Sequence, residues 1–322
     1  MNNQKLFHET EGKGVGGLNT KKYQAFLKVV DCGNLTRAAA ELNYTQPAVS
    51  HMIRSLEEEF GFPLLLRMTD RVIPTAEGRR VMGYMRDILH TEQCMYEEVG
   101  SINQVEVGSI RIGSYFSALR SFLPELIQRY CERHPAVSLS LVEGNTQELI
   151  SFLRDRTIDF AFATHAEFAD FAFIPLLRDR LFAVLPEGNP LCAKTVITPR
   201  ELCQYPLIVT EEKSDYDFVR ICDLARINPE IKLRAKSEMS ILSLVACKLG
   251  VAVIPELHLI DPPHNVVIRE LDSPWSHRTV GIAAASLETL SLASKEFIAM
   301  LPQDFEGYVW SKYRVGTRPG TP

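Results

Sequence analysis

The chain has 322 residues, 46% of them hydrophobic, and its 35 lysines and arginines against 40 aspartates and glutamates give a net charge of −5. This length predicts two domains, and the composition excludes collagen-like, low-complexity and purely coiled-coil proteins. The sequence contains no run of about 18 apolar residues, so no membrane-spanning helix is expected. The N-terminal residues lack the apolar core of a secretory signal, and we therefore expect a cytoplasmic protein.

Cysteine and histidine spacing gives no indication of a metal site. Seven cysteines are scattered without a C-x-x-C pair, and eight histidines show no metal-ligand spacing, so we expect reduced thiols and no cofactor. Gly12, Gly14 and Gly17 fit the dinucleotide pattern G-x-G-x-x-G, but no strand precedes them. We interpret that match as accidental and residues 1–19 as a disordered leader.

Three short helices are predicted between Thr20 and Leu66. In the first helix, apolar residues recur at i, i+3, i+4 and i+7, as a buried stripe of Tyr23, Phe26, Leu27 and Val30. A break at residues 32–34 ends this helix. Thr36 can cap a second helix, and Thr45 can cap a third.

The third helix has two distinct faces. Its apolar face comprises Val49, Ile53, Leu56 and Phe60. Gln46, Ser50 and Arg54 form a separate polar and basic face, and Gly61 ends the helix. Two helices joined by a short turn, the second with such a face, are typical of a helix-turn-helix. A three-helix packing module that binds no nucleic acid is the alternative at this point.

Two short β-prone segments follow, around a polar turn with Arg67 and Arg71, and they predict a small hairpin or wing. Residues 20–80 hold nine basic and seven acidic residues, a net charge of +2, which leaves −7 for the rest of the chain. This basic bias is weak, but it lies where DNA would bind.

A long helix is predicted from Ala76 to Asn103, with Thr75 as its cap. A heptad seam with one polar member runs along it: Val81, Met85, Ile88, Glu92, Met95, Val99 and Ile102. Such a seam predicts self-association through this helix. Packing against the wing domain is the alternative for part of it.

From Gly108 onward, predicted strands alternate with predicted helices. The strands are predicted at 109–113, 137–142, 159–163, 181–185, 207–210, 251–254 and 279–285, and the helices at 118–133, 146–154, 216–225, 240–249 and 290–301. Alternation of this kind predicts a parallel sheet, and about 195 residues suffice for two α/β lobes. We expect a ligand cleft between the lobes, beyond the carboxyl ends of the strands.

The region from Tyr23 to Gly78 resembles the LysR-type transcriptional regulators, through many separate matches in register. These matches are Phe26–Val30, Leu35–Ala39, Leu42, Thr45–Ser50, Ile53–Glu57, Phe60–Gly61, Leu64–Arg67 and Thr75–Gly78. The resemblance implies an α/β protein with an N-terminal winged helix-turn-helix, a long linker helix and a two-lobed domain resembling type 2 periplasmic binding proteins. The implied domains are the DNA-binding domain at 20–75, the dimerisation helix at 76–106, the effector-binding domain at 107–303 and a C-terminal tail at 304–322.

The function implied by the resemblance is a ligand-responsive transcription factor that regulates promoters through an inverted-repeat site. Its implied partners are double-stranded DNA, a small anionic or polar metabolite, a second copy of the chain in a dimer or tetramer, and RNA polymerase. No enzymatic activity is implied. The alternative is a cytoplasmic small-molecule receptor or an enzyme built on the two-lobed domain.

The resemblance assigns DNA contacts to eight side chains: Thr36, Gln46, Pro47, Ser50, His51, Arg54, Arg67 and Arg71. His51 stands where the family often has an arginine, which weakens the expectation of guanine recognition there. Asp70 replaces one of two basic residues that the family usually carries in the wing.

The resemblance places the effector at eight further residues: Ser114, Ser117, Thr146, Gln147, Thr164, His165, Thr210 and Ser214. Ser114, Ser117 and Thr146 precede or open predicted helices, where backbone N–H groups favour an anion. Peroxide-sensing members of the family use a cysteine pair in this lobe. Ser214 aligns with the reactive cysteine and leaves Cys222 alone, so no disulfide switch is expected.

Overall fold

The computed structural model of the protein describes residues 19–68, 71–103, 108–211 and 216–313. The chain divides into two compact units, Met1–Tyr96 and Glu97–Pro322. Among the described residues, no helix is long and apolar enough to cross a membrane. Asp70, Ser214 and nearly all of the predicted leader lie outside the described residues.

The first unit confirms the predicted helices and hairpin. Its elements are α1 (Thr20–Cys32), α2 (Leu35–Glu41), α3 (Gln46–Phe60), β1 (Leu65–Arg67), β2 (Val72–Pro74) and the first part of α4 (Ala76–Ile102). The strands pair antiparallel. Phe26 of α1 and Val49, Ile53 and Leu56 of α3 are fully buried in a shared core, and Phe60 packs half-buried against it, so the helical periodicity correctly identified the inward faces.

The cap of α2 differs from the prediction. The side chain of Asn34 accepts hydrogen bonds from the backbone N–H groups of Thr36 (2.8 Å) and Arg37 (3.1 Å), so Asn34 is the cap and Thr36 lies in the first turn. The cap of α3 is confirmed, since Thr45 Oγ1 accepts from the N–H of Ala48 at 3.4 Å. Gly61 ends α3 in the left-handed conformation, at φ 78°.

The hairpin is attached to the helices by one backbone hydrogen bond and by a side-chain carboxylate. The N–H of Val72 donates to the carbonyl of Gly33, between α1 and α2, at 2.8 Å. The Glu57 carboxylate accepts from the N–H groups of Leu64 (2.7 Å) and Leu65 (3.2 Å), where the chain enters β1. These bonds fix the hairpin beside the C-terminal half of α3.

The second unit is an α/β domain, as predicted. Its elements after α4 are β3 (Gly108–Ser114), α5 (Phe116–Arg120), α6 (Leu123–Arg133), β4 (Val137–Glu143), α7 (Thr146–Arg154), β5 (Phe160–Thr164), β6 (Ala172–Pro186), β7 (Val196–Ile197), α8 (Pro199–Leu202), β8 (Leu207–Thr210), α9 (Tyr216–Ala225), β9 (Ile231–Ala235), α10 (Glu238–Ala246), β10 (Ala252–Pro255), β11 (Val266–Leu271), β12 (His277–Ala284), α11 (Leu292–Ala299) and α12 (Phe305–Tyr313).

Strand β6 is shared by the two lobes. Residues 172–180 pair with β12, in a first lobe that also contains β4, β3 and β5. Residues 181–186 pair with β10 and β11, in a second lobe that also contains the parallel pair β8 and β9. The prediction of an all-parallel sheet is wrong, because β12 lies antiparallel to both β5 and β6 as the chain returns from the second lobe.

Several elements depart from the predictions. The helix expected at 118–133 is divided into α5 and α6, because Pro124 has no N–H to continue the helical bonding. Strands β9 and β11 were not predicted. The predicted C-terminal tail, 304–322, contains α12, and its Phe305 and Val309 are buried in the core of the first lobe.

We predict that Gly281→Ala destabilises the second unit. Pairing of β12 shifts register between Val280 and Gly281, and a β-carbon at position 281 would lie 2.1 Å from the carbonyl oxygen of Ile174. The strands would have to separate, which we expect to lower the free energy of unfolding by about 1–3 kcal/mol in urea titrations.

Gly83→Ala is the control, because no heavy atom among the described residues lies within 4 Å of a β-carbon there. Gly83 lies inside α4, where alanine favours the helix by up to about 1 kcal/mol. Equal effects of the two substitutions would contradict the close contact at Gly281.

Candidate functional site

The predicted DNA-contacting residues of α3 share one accessible face. Pro47, His51 and Arg54 are exposed, and Gln46 and Ser50 are half-buried. The apolar residues of α3 lie on its other side, in the core. Thr36 on α2 and Arg67 and Arg71 on the hairpin are also exposed (the latter two flank residues 69–70).

A hydrogen bond joins the hairpin to this face. Arg67 Nη2 donates to Ser50 Oγ at 3.3 Å. Among the residues that the structure describes, no carboxylate forms an ion pair with Arg54, Arg67 or Arg71. Lys22, in contrast, pairs with Glu59 at 3.2 Å. The three arginines therefore give the face a positive charge that no described acidic side chain neutralises, as phosphate binding requires.

The heptad seam of α4 has two parts. Met85 is 2% exposed and packs in the core of the first unit with Val81 and Ile88, so Met85 is not available to a partner. This difference from the prediction arises because the hairpin and the three short helices cover the first part of α4. The second part remains exposed: Met95 (53%), Val99 (45%) and Ile102 (74%).

A cavity of about 590 Å³ lies between the two lobes of the second unit. The first lobe lines it with Tyr115, Phe116, Glu143, Gly144, Asn145, Thr146 and Glu148. The second lobe contributes Leu181, Thr210, Phe218, Lys236, Ser237, Glu238, Met239, Ile241, Val253, Ile254, Pro255 and His258, and Arg278 lines it from β12. We refer to this cavity as the cleft.

Of the residues predicted to bind the effector, the structure brings Thr146 and Thr210 to the cleft. Ser114, Ser117 and Thr164 are instead buried inside the first lobe. Gln147 and His165 are exposed but do not line the cleft. Most of the predicted residues therefore belong to segments near the cleft, but it is mainly their neighbours in the sequence that line it.

Backbone N–H groups at the amino end of α7 already donate hydrogen bonds to side chains of the same segment. Asn145 accepts from the N–H of Glu148 at 2.9 Å, and the Glu148 carboxylate accepts from the N–H of Asn145 at 2.9 Å. The Thr146 and Tyr115 hydroxyls are hydrogen-bonded to each other at 2.9 Å. The predicted anion contact at Thr146 would therefore meet a carboxylate, which opposes it.

A buried ion pair lies at the floor of the cleft. Asp179 of β6 is fully buried and accepts from Arg278 Nε at 2.9 Å and from the N–H of Leu257 at 3.1 Å. Burial raises the pKa of Asp179 to about 6, and the Arg278 guanidinium opposes this rise. Beside it, Arg180 donates two hydrogen bonds to the buried Glu256, at 2.9 and 3.2 Å.

His258 faces the cleft as a neutral imidazole. Its Nδ1 lies 3.5 Å from Glu238 Oε2. Burial lowers the pKa of His258 to about 4; Glu238 opposes this change, while Arg278 and Arg120 add to it. At pH 7 the ring can therefore donate one hydrogen bond and accept another.

The cleft carries both signs of charge beside apolar walls. Lys236 and Arg278 are positive, whereas Glu143, Glu148 and Glu238 are negative. Lys236 and Glu238 were not predicted from the sequence. They follow directly after β9, a strand that was itself not predicted, so its carboxyl end was not recognised as part of the cleft. Among the described residues, no group of three or more histidine, cysteine, aspartate or glutamate side chains could hold a metal ion. This arrangement suits a small polar molecule.

Comparisons with known proteins agree with this architecture. The profile described as "Bacterial regulatory helix-turn-helix protein, lysR family" matches residues 20–79, and that of the "LysR substrate binding domain" matches residues 103–306. The uncharacterised HTH-type transcriptional regulator YvbU of Bacillus subtilis (strain 168) is 30% identical over 285 residues, which cover 88% of this chain and 97% of YvbU.

Two solved structures are similar in fold. Full-length OxyR from Pseudomonas aeruginosa has a TM-score of 0.72 at 22% identity, over 94% of this chain and 99% of that one. Full-length CbnR complexed with its target DNA has a TM-score of 0.60 at 16% identity, over 88% of this chain and 98% of that one.

We predict that His258 makes stability depend on pH. The unfolded chain binds a proton at His258 below about 6.5 and the folded protein only below about 4, so the folded state loses stability as the pH falls through this range. His258→Gln removes this effect. The stability of wild type relative to the variant should decrease by about 3 kcal/mol between pH 7 and pH 4, in urea titrations.

Asp179 acts in the opposite direction, because its raised pKa favours the folded state as the pH falls below about 6. Asp179 is present in both wild type and His258→Gln, so its contribution cancels when the stability of the variant is subtracted from that of wild type. His165→Gln, at an exposed position outside the cleft, serves as the control for replacing a histidine. A difference between wild type and His258→Gln that is independent of pH would contradict the burial of a neutral imidazole.

Proposed function

This chain belongs to the LysR family of bacterial regulators and is a ligand-responsive, DNA-binding transcriptional regulator; we propose that it controls promoters by binding an inverted-repeat site as a dimer. The observation that carries this proposal is the exposed face of α3, with Arg54, Arg67 and Arg71 outside any ion pair among the described residues. Such a face can enter the major groove while the arginines bind the flanking phosphates.

Individual contacts follow from the chemistry of the side chains. We propose that Gln46, Pro47, Ser50 and His51 lie in the major groove, where an amide such as Gln46 can pair with adenine. Arg54 binds phosphate or a base, and Thr36 touches phosphate. Arg67 and Arg71 contact the backbone or the minor groove from the hairpin. In this proposal Arg67 leaves Ser50 when DNA binds, and Ser50 then becomes available to a base.

The exposed part of α4 supports pairing of two chains. Met95, Val99 and Ile102 present apolar side chains at helical spacing, and Tyr84 extends the same face at 73% exposure. Two copies that bury these residues against each other would place two recognition helices on one DNA. Dimer symmetry then requires half-sites about one helical turn apart. Pairing of dimers into a tetramer is a further part of the proposal.

We propose a small polar metabolite as the effector, since the walls of the cleft carry both charges. Capping of α7 by its own carboxylate argues against a simple anion at Thr146. Closure of the lobes around the metabolite would change how the dimers assemble, and so the bending of DNA and contact with RNA polymerase. Such coupling requires the metabolite to bind one assembly more tightly than the other.

The proposal is that of a cytoplasmic regulator rather than an enzyme. Promoter DNA is in the cytoplasm of a bacterium; the relative YvbU carries the name of a transcriptional regulator, and the CbnR structure contains its target DNA. The alternative, a receptor or enzyme built on the second unit, needs no exposed recognition helix and no apolar stripe on α4.

We predict that Arg54→Ala weakens binding to fragments of the gene's own upstream region by about 1–3 kcal/mol. Fluorescence anisotropy across a salt series gives the slope of log K against the logarithm of the salt concentration. In Arg54→Ala this slope should be shallower by the amount that corresponds to about one lost phosphate contact. Lys22→Ala is the matched control, because Lys22 pairs with Glu59. Equal losses in both variants would indicate a general charge effect, and no saturable binding by wild type would contradict the regulator itself.

We predict that Val99→Glu together with Ile102→Glu shifts the protein from dimer towards monomer in sedimentation velocity runs. Both side chains are exposed on the proposed seam, where two copies would bring four carboxylates together. Ser101→Glu adds a carboxylate at an exposed position beside the seam and should retain the dimer. A dimer that persists in the double variant would place the main contact elsewhere.

A further inference from the structure

Two thiols of the second lobe lie side by side. The sulfur atoms of Cys203 and Cys222 are 3.7 Å apart. Cys203 directly follows α8 and is half-buried, whereas Cys222 lies within α9 and is 1% exposed. The two are 19 residues apart in the sequence, so their proximity is created by the packing of α8 against α9.

We propose that Cys203 and Cys222 form a reversible intramolecular disulfide when a hydroperoxide oxidises Cys203, and that this bond changes the wall of the cleft. The sequence-based expectation compared Cys222 only with position 214 and found no partner there. The structure provides a different partner, Cys203, which precedes β8 in the sequence, whereas position 214 and Cys222 follow it.

The geometry permits the bond with a small movement. A disulfide holds its sulfur atoms about 2.05 Å apart, so the two must approach by about 1.6 Å from their present distance of 3.7 Å. Cys203 lies at the end of the short helix Pro199–Leu202 and is the less buried of the two thiols. Movement of Cys203 towards the more deeply buried Cys222 is therefore the easier route.

Cys203 is the thiol that meets the oxidant. It is the more accessible of the two, and a hydrogen bond from the Cys222 thiol lowers the pKa of Cys203. A lower pKa increases the thiolate fraction, and the thiolate is the nucleophile in thiol oxidation. Cys222 is shielded from solvent and can attack only a neighbouring sulfur, as a resolving cysteine does.

The reaction balances with one hydroperoxide. The Cys203 thiolate attacks an oxygen of the hydroperoxide and the O–O bond breaks; the departing alkoxide or hydroxide takes the proton that the Cys203 thiol released. The Cys222 sulfur then attacks the resulting sulfenic acid, the S–O bond breaks, and hydroxide leaves with the Cys222 proton as water. Two thiols lose two electrons in total, and the hydroperoxide gains them.

The disulfide would act on the cleft through α9. Phe218 precedes Cys222 by one helical turn, and both pack in the same core of the second lobe. Phe218 also lines the cleft, as does Thr210 at the end of β8, which lies between the two cysteines in the sequence. Because Cys203 packs against the same core, drawing it towards Cys222 changes the packing around Phe218 and so moves a wall of the cleft. The regulatory meaning of this shift rests on the proposed function, whereas formation of the disulfide does not.

The test uses the full-length reduced protein and hydrogen peroxide. After treatment with a small molar excess, free thiols are alkylated and the peptides are mapped by mass spectrometry with and without dithiothreitol. We expect one linked pair of peptides, containing Cys203 and Cys222, that dithiothreitol separates. Cys203→Ser should abolish the linkage, and Cys222→Ser should leave a Cys203 sulfenic acid that dimedone traps.

Controls distinguish this pair from general thiol oxidation. Cys131 and Cys247 are exposed, and Cys131→Ser and Cys247→Ser should retain the Cys203–Cys222 linkage. Wild-type protein in which Cys203 and Cys222 both remain alkylated, or in which only Cys131 or Cys247 is oxidised, would overturn the proposal. This result does not depend on the folding of any variant.

The effect on the cleft is measured separately, by hydrogen–deuterium exchange. Oxidation should change the exchange of peptides that cover β8 and α9, and leave those of α1 to α3 unchanged. Identical exchange in the oxidised and reduced proteins would contradict the movement of the cleft wall. Neither experiment includes DNA, so a failure here is distinguishable from a failure of promoter binding.

Discussion

The carboxylate of Asp179 connects the parts of the second unit that must stay together for a cleft to exist. It accepts hydrogen bonds from Arg278 of β12 and from the backbone of Leu257 after β10, and it is itself part of β6, the strand that both lobes share. A buried carboxylate is retained only where such partners stabilise its charge. Arg278 and the nearby His258 also line the cleft, so the contacts that join the lobes lie beside it.

Helix α4 joins the first unit to the second covalently, and it carries the residues proposed to pair two copies. Its first turns contribute Met82 and Met85 to the core of the first unit. Near its end, Glu97 is buried in the second unit, where its carboxylate accepts from the N–H groups of Ser109 and Ala293, each at 3.3 Å. The exposed apolar residues lie along the same helix. One helix therefore contributes to the cores of both units and carries the apolar residues proposed to pair two copies.

The elements predicted well from the sequence are those with a clear periodicity of apolar residues and a residue that clearly ends the element. The three short helices, the hairpin and α7 agree closely with their predicted bounds. The prediction failed where the apolar pattern is weak, or where the residues that come together are far apart in the sequence. Strand β9 is mostly exposed and therefore lacks the apolar alternation of a half-buried strand. The charged floor of the cleft combines residues far apart in the chain, such as Asp179 and Arg278, and no local pattern contains both.

In the proposed regulator, two copies of the chain bind two half-sites together. Hydroxyl-radical footprinting on the upstream fragment first locates the half-sites, and binding is then measured after base pairs are inserted between them. An insertion of about 5 base pairs, half a helical turn, should weaken binding by roughly 100-fold or more, because only one half-site can then be engaged. An insertion of about one full turn should restore part of the affinity. Binding that is indifferent to both insertions would contradict the account.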